Sequence, residues 1–338
     1  MLPSVSITIP ARNEEKYIEK CILSILSADY PQEKIKIFVC DGLSTDNTRE
    51  IVSLLSNKHR NIQLIDNEKQ TTPFALNLGL KVSNCAIKVI LGAHAEIDKD
   101  FIKNNVSILN DHPEVGCAGG IIENVYENES AETIGLAMSS AFGVGNAHFR
   151  TGSKNGFVDT VAFGAYRKEV FEKIGYFDED LIRNQDDEFN FRLLQNGFKI
   201  YLNSNIKSKY YVRASFSKLY KQYYQYGYWK VYVNKKHKAV TSIRQLVPLF
   251  FVLFLFLGFT LSFFHWILGT LFSLGFLAYI VLAIVFASQK SNSFEKMIGI
   301  AYTFFLLHFS YGLGYLVGIF DFIALNKGPR KSSQKLTR

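Results

Sequence analysis

Residues 184–192 read Asn-Gln-Asp-Asp-Glu-Phe-Asn-Phe-Arg and set three carboxylates, Asp186, Asp187 and Glu188, side by side at the start of a helical segment. Phe189 and Leu193 then share one helical face, and Asn196-Gly197 supplies a C-terminal stop. A carboxylate held in position can take a proton from a hydroxyl as that hydroxyl attacks. Three adjacent acids also repel one another, which favours keeping a proton on one of them. The competing explanation is that acids at a helix N-terminus serve only its dipole. A second group, Arg12, Glu14, Asp41 and His94, is scattered along the chain, each residue just after a short apolar run.

The elements that must position these groups alternate. Val5–Pro10 forms a first apolar strand, and Asn13 is placed to cap a helix whose inward face is Ile18, Ile22, Ile25 and Leu26. A second strand, Ile35–Cys40, ends at Asp41-Gly42. Ser44 or Thr45 then caps a helix that turns Ile51, Leu54 and Leu55 inward. Strand Ile62–Ile65, a helix over 73–82 and strand Ala86–Leu91 continue the pattern. Such alternation implies a mostly parallel sheet covered by helices on both faces. Ligands of such sheets bind in the crevice beyond the carboxyl ends of the strands, where Arg12, Glu14, Asp41 and His94 fall.

The second half is of another kind. From Leu246 to Ala287 there is no Asp, Glu, Lys or Arg, and one histidine, His265. That run suffices for two crossings of a bilayer core of about 30 Å. Met297–Phe320 is a third candidate, and its Gly314-x-x-x-Gly318 pair permits close helix packing. A buried hairpin of a soluble protein is the alternative, and an uncharged run of this length argues against it. The net charge of +8 gathers in residues 206–244, which hold ten basic residues, Arg213 among them, and no acid, with tyrosines interleaved. Beside a membrane segment this suits an anionic headgroup surface better than nucleic acid. Basic flanks also put residues 1–205 on the cytoplasmic side. The tail carries Lys327, Arg330, Lys331, Lys335 and Arg338. Three crossings would place it outside against that tendency, so either one segment is re-entrant or the tail departs from the rule. No signal peptide is expected, because the first apolar stretch is short and broken by Pro10. Cys21, Cys40, Cys85 and Cys117 form no CxxC pair and suit small core residues in a reducing compartment.

Four segments carry a family resemblance. Ile9-Pro10-Ala11-Arg12-Asn13-Glu14, Asp41-Gly42-Leu43-Ser44-Thr45-Asp46-Asn47-Thr48, Phe74–Leu80 and Val161–Arg167, in that order, resemble glycosyltransferase family 2 enzymes of the GT-A fold. The likeness is greatest to the membrane-associated, succinoglycan-type exopolysaccharide branch, and it extends from Val5 to about Trp229. It implies that Pro10, Ala11, Arg12 and Glu14 line a nucleotide pocket and that Asp41 holds the base or ribose. A carboxylate there can accept from a ring N–H or a sugar hydroxyl. Glu15 is better read as a helix-dipole partner. Where the family carries Asp-x-Asp or Asp-x-His after the fourth strand, this chain reads Gly92-Ala93-His94-Ala95-Glu96. Imidazole suits Mn2+, which makes His94 the ligand candidate for a divalent Mn2+ or Mg2+ and Glu96 the reserve. Residues 184–192 resemble the family's Glu-Asp-x-Glu segment with Gln185 in place of the first Glu, which makes Asp186 the general base and Asp187 its fallback. Gln225-Tyr226-Gly227-Tyr228-Trp229 resembles the QxxRW box at the acceptor and diphosphate side, with Tyr228 in place of Arg. Lys230 could compensate, and Trp229 could stack on a sugar or anchor at the interface.

The resemblance thus implies an α/β GT-A domain over residues 1–205, a basic interfacial segment over 206–244, membrane helices over 246–320 and a basic tail over 321–338. It implies an inverting transferase in a multi-pass membrane protein, moving a sugar from a nucleotide-sugar donor, UDP-sugar first, to a lipid-linked acceptor among membrane lipids. Other polysaccharide-assembly proteins would be partners, and nucleic acid would not. The alternatives are a polyprenyl-phosphate sugar synthase, a processive synthase, for which three hydrophobic segments are few, and an inactive scaffold of an assembly complex. Gly92, Gln185 and Tyr228 keep the last open.

Overall fold

The computed structural model describes residues 2–152, 154–212, 214–241, 243–330 and 333, so Arg213, Lys331, Lys335 and Arg338 lie outside the described residues. The chain divides into two compact units, Met1–Val125 with His148–Tyr211, and Tyr126–Ala147 with Val212–Arg338.

In the first unit, β1 (Val5–Ala11), α1 (Ile18–Leu26), β2 (Ile35–Asp41), α2 (Thr48–Lys58), β3 (Ile62–Asp66), α3 (Thr72–Val82) and β4 (Ile87–Ile90) follow one another along the chain. The strands lie parallel in the order β3-β2-β1-β4. Val5, Ile7 and Ile9 of β1 and Ile35, Ile37 and Val39 of β2 are buried with Ile18, Ile22 and Ile25 of α1. On the other face α3 presses its Gly79 against Thr8, where a methyl would lie 2.7 Å from the threonine Oγ1. Ser6 and Thr8 are therefore buried as fully as the apolar positions between them, as expected for strands covered on both faces.

Two helix expectations need correction. Asn13 does not cap α1: it has a left-handed backbone, and the first turn closes on the Glu14 carbonyl. Helix α2 begins later than Ser44 or Thr45 would start it, so its buried face is Thr48, Val52 and Leu55, while Leu54 is 55% exposed. Of the expected inward face, Leu55 is buried and Ile51 packs against the core, so only Leu54 falls outside it.

Beyond β4 come β5 (Ala95–Ile97), α4 (Phe101–Asp111) and β6 (Val115–Val125). The chain then passes through α5 (Glu129–Met138) and α6 (Ala141–Val144) of the second unit and resumes the first at α7 (His148–Thr151). There follow β7 (Gly156–Val158), β8 (Ala162–Arg167), α8 (Lys168–Ile174), α9 (Gln185–Gln195) and β9 (Lys199–Tyr211). The sheet continues β4-β8-β6-β9-β5, with β7 on β9. Here it is mixed rather than mostly parallel: β8 is antiparallel to β4 and β6, and β5 and β7 are antiparallel to β9. Helix-strand alternation reports direction only for strands joined by a crossover helix, and β8 arrives by another route, while β9, which follows α9, does run parallel to β6. Strand β9 also carries this unit to Tyr211, past residue 205.

The second unit holds α5 and α6 together with α10 (Phe216–His237), α11 (Val247–Ser262), α12 (Trp266–Ser288), α13 (Phe294–Gly318) and a π-helical turn, Ile319–Ala324. Ile243–Ser262, Trp266–Ser288 and Phe294–Ala324 are long and apolar enough to cross a membrane by length and composition. Leu257, Leu271 and Leu274 are among many large apolar side chains left exposed on the first two. Helix α13 instead packs on α10 through glycines: Gly227 against the Tyr311 carbonyl, Gly314 against the Tyr224 carbonyl, and Gly318, where a methyl would lie 2.8 Å from the Tyr228 oxygen. Residues 126–147 are tied to the same helices. Glu132 pairs with Lys296 at 2.7 Å, the Ser139 carbonyl accepts from Lys290 at 3.0 Å, and the Phe142 carbonyl lies 2.8 Å from His308 Nε2.

Candidate active site

The loops after β1, β2 and β3 are stitched to one another. Gly42 N–H donates to the Ala11 carbonyl at 2.8 Å, and Asn67 N–H donates to the Asp41 carbonyl at 2.8 Å. Asn13 N–H donates to Ser44 Oγ at 2.9 Å, and Asn13 Oδ1 accepts from Thr45 N–H at 2.9 Å. Glu14 N–H donates to Thr48 Oγ1 at 2.8 Å, while the Glu15 carboxylate accepts from Asn47 N–H at 3.0 Å. Glu15 thus sits in the turn that opens α1 and also clasps the loop before α2.

Asp41 is fully buried, and its carboxylate accepts from the amide and hydroxyl of Ser44 and from Arg49 Nη1 at 2.8 Å. Arg49 also reaches Asp66 at 2.9 Å, and its bonds to Asp41 and then Asp66 push its pKa above the ordinary value. Asp41 therefore holds the loop in shape around the expected nucleotide pocket. Ser44 and Arg49 are the residues that sequence reasoning missed, and the signal was an Arg on the first turn of the helix after Asp41. Pro10 and Ala11 end β1, Glu14 is buried, and Arg12 is exposed, its side chain passing over Gly42.

His94 follows β4, and its Nδ1 stands 3.7 Å from Glu14 Oε1. Tyr210 of β9 meets the imidazole edge-on with centroids 5.1 Å apart. A methyl at Gly92 would lie 3.3 Å from carbons of His94 and of Phe163, so this glycine gives both rings their space. Glu96, the reserve ligand, instead accepts from the Tyr211 hydroxyl. Among the described residues no three His, Cys, Asp or Glu side chains converge on one point.

Asp186 lies on the first turn of α9 and is exposed, and Asp187 is half-buried. Glu188 is buried and bound by Arg192 at 2.7 Å, so the mutual repulsion of three acids is relieved. Arg192 also donates to the carbonyls of Ile174 and Tyr176, at 2.6 and 2.8 Å. Asn77 of α3 accepts from Phe177 N–H at 3.0 Å and donates to the Phe177 carbonyl and Glu179, each at 2.9 Å. The loop leading to Asp186 is thereby fixed from two helices. Asn13, Leu43, Gln70, Phe163 and Asn184 all take positive φ, from 50° to 61°. Such backbone costs about 1–3 kcal/mol each and collects at functional sites. Here it marks the ends of β1, β2 and β3, the start of β8 and the cap of α9.

The QxxRW-like box lies in the second compact unit. Gln225, Trp229 and Lys230 are buried in the second unit, and Trp229 Nε1 donates to the Ser333 carbonyl at 3.0 Å. Tyr228 donates to Asp321 at 3.0 Å, with Arg330 closing the group. Burial pushes the Tyr228 hydroxyl up to about 12. Within its own unit the box packs α10 on α13, with Gly227 against the Tyr311 carbonyl, and Trp229, expected to stack on a sugar or anchor at an interface, is buried there. The cysteines supply no nucleophile: burial raises the thiols of Cys21 and Cys40 to about 12.

A parallel sheet whose strand ends carry Arg12, Glu14, Asp41 and His94, extended by mixed strands that present an acid at a helix start, defines a GT-A-like nucleotide-sugar domain. The chain belongs to glycosyl transferase family 2, whose model matches residues 6–175. The "Dolichyl N-acetyl-alpha-D-glucosaminyl phosphate 3-beta-D-2,3-diacetamido-2,3-dideoxy-beta-D-glucuronosyltransferase" of Methanococcus voltae is 41% identical over 230 residues, 66% of this chain and 71% of that protein. Succinoglycan biosynthesis protein ExoA of Rhizobium meliloti is 27% identical over 247 residues, 72% of this chain and 74% of that one. The fold is also that of mannosyltransferase PcManGT from Pyrobaculum calidifontis, solved with GDP-Man and Mn2+ (TM-score 0.52, 20% identity, 67% of this chain and 62% of that one). Both the expected family and the expected fold are borne out.

Proposed function

We propose that this chain transfers a sugar from a nucleoside diphosphate donor, UDP-sugar first, to a lipid-linked saccharide, inverting the anomeric carbon. The observation that carries the mechanism is Asp186, exposed on a helix start whose approach loop is pinned by Asn77 and Arg192. The acceptor hydroxyl gives its proton to the Asp186 carboxylate as its oxygen bonds the anomeric carbon, and the bond to the donor's β-phosphate oxygen breaks with its electron pair. Pro10, Ala11, Arg12 and the loop built on Asp41 would hold the nucleotide. His94 would be the protein ligand of a divalent Mn2+ or Mg2+, with phosphate oxygens and water as its other ligands, as suits ions that take few protein groups. Bound there, the ion would offset charge on the diphosphate. The lipid-linked acceptor is supported by the 41% identical relative, named for a transfer to a dolichyl phosphate sugar, together with three helices able to span a bilayer. The three spans would make this a multi-pass protein, with the sheet unit on the cytoplasmic side as the basic flanks suggest.

The test is nucleoside diphosphate release by membranes containing the chain, with UDP-, GDP- and dTDP-sugars, Mn2+ or Mg2+ and native lipid, beside Asp186→Asn. Turnover with one donor should require lipid and fall by about 10²–10⁴ in the variant. A variant retaining most turnover would favour a phosphate acceptor, which needs little base catalysis. No release by folded protein with any donor would point to an inactive scaffold.

A further inference from the structure

Arg150 stands on α7, within the same compact unit as β4, β9 and the loops of the site. Its Nη1 is buried and has no hydrogen-bond partner among the described residues. A guanidinium is charged at every physiological pH, and removing one of its N–H groups from water without an acceptor is costly. Folded proteins hold few such groups. The guanidinium carbon lies 5.5 Å from the ring centre of Tyr210, whose edge meets His94 at 5.1 Å. Phe149 flanks the same guanidinium at 5.4 Å. Arg150, Tyr210 and His94 therefore form a row that ends at the position just beyond β4.

One other observation bears on that place. Position 92 carries glycine, so no carboxylate stands there to share a metal ion with His94. Glycine there leaves His94 with one protein partner fewer for an ion that would offset the diphosphate's charge, and the cation of Arg150, reached from His94 through Tyr210, can share that work.

We propose that Arg150 is a catalytic residue that receives the donor's diphosphate and stabilises the leaving nucleoside diphosphate; this rests on the glycosyltransferase function above. As the acceptor oxygen–anomeric carbon bond forms, the anomeric carbon–phosphate oxygen bond breaks and its electron pair stays on the β-phosphate. The acceptor's proton passes to Asp186. Arg150 donates to the phosphate oxygens that gain charge, a contact strengthened by its burial.

The experiment uses the full chain in native-lipid nanodiscs. Calorimetry measures binding of UDP, GDP and dTDP and of the matching nucleosides to the parent, Arg150→Gln and Arg150→Lys, alongside thermal midpoints. Arg150→Gln should lose about tenfold or more in diphosphate affinity with nucleoside affinity unchanged. Its kcat should fall by about 10²–10³. Arg150→Lys should recover part of both, since an ammonium keeps the charge without the planar fork. Unchanged diphosphate affinity in Arg150→Gln would overturn the proposal alone. So would equal loss of nucleoside and diphosphate with a lower midpoint, the mark of a merely structural arginine. A parent chain that binds none of the three diphosphates would overturn the transferase function and this proposal with it.

Discussion

Asp46 shows how a single carboxylate can hold a loop without touching a substrate. Partial burial pushes its carboxyl up, but the hydroxyl and amide of Thr48 and the amide of Glu15 outweigh this and hold it below its ordinary value of 3.8. A depressed folded-state pKa contributes stability that is complete above the ordinary value and lost as pH falls below it. Asp46→Asn should therefore unfold more readily at neutral pH and lose less further stability on acidification below about pH 4 than the parent, as measured by denaturant midpoints. At this scale the sequence marked Asp41, His94 and Asp186 through residue type and position after a strand or at a helix start. It did not mark their neighbours. That Glu96 would be taken by Tyr211, or Glu188 by Arg192, depends on pairings set by the register of β9 and the turn of α9. Periodicity does not carry that information.

At the scale of elements, the contact between α10 and α13 is set by absent side chains. Gly227 and Gly314 each face a backbone carbonyl of the opposite helix, so even a methyl group must push the axes apart. Gly314→Leu should cost several kcal/mol, roughly the range of severe overpacking. Limited proteolysis in detergent should then cleave α10 in the variant and spare it in the parent. Gly314-x-x-x-Gly318 announced close packing in the sequence, and its partner helix was the unknown. The tyrosine-rich stretch had suggested an interfacial surface, yet Leu219, Gln222 and Trp229 are buried on α10. Aromatic residues with a polar tip serve either place, so composition could not decide between headgroup and helix. The first four strands were legible because short stretches rich in Ile and Val alternate with helical segments. Strands β5 and β7 were not, since three residues each carry no period.

At the scale of the molecule, the segment 126–147 belongs to the compact unit of the membrane-type helices although its neighbours in sequence belong to the sheet unit. A chain ended at Tyr211 keeps this segment and lacks α11–α13, which leaves Leu136, Ala137 and Phe142 without the residues of α12 and α13 that cover them. Such a chain should aggregate, as judged by light scattering after size exclusion, whereas replacing 126–147 by a Gly/Ser linker in the same truncation should leave it monodisperse. The expected cut at residue 205 would fail for a further reason, since it divides β9. The same segment sets a schedule for biosynthesis. Ser139, Glu132 and Phe142 find their partners 151, 164 and 166 residues later. At about 5–20 residues per second, the ribosome delivers Lys290, Lys296 and His308 roughly 8–30 s after the segment emerges. For that interval its apolar face waits undocked, and the protein's yield in a cell depends on what shields it until the last helix arrives.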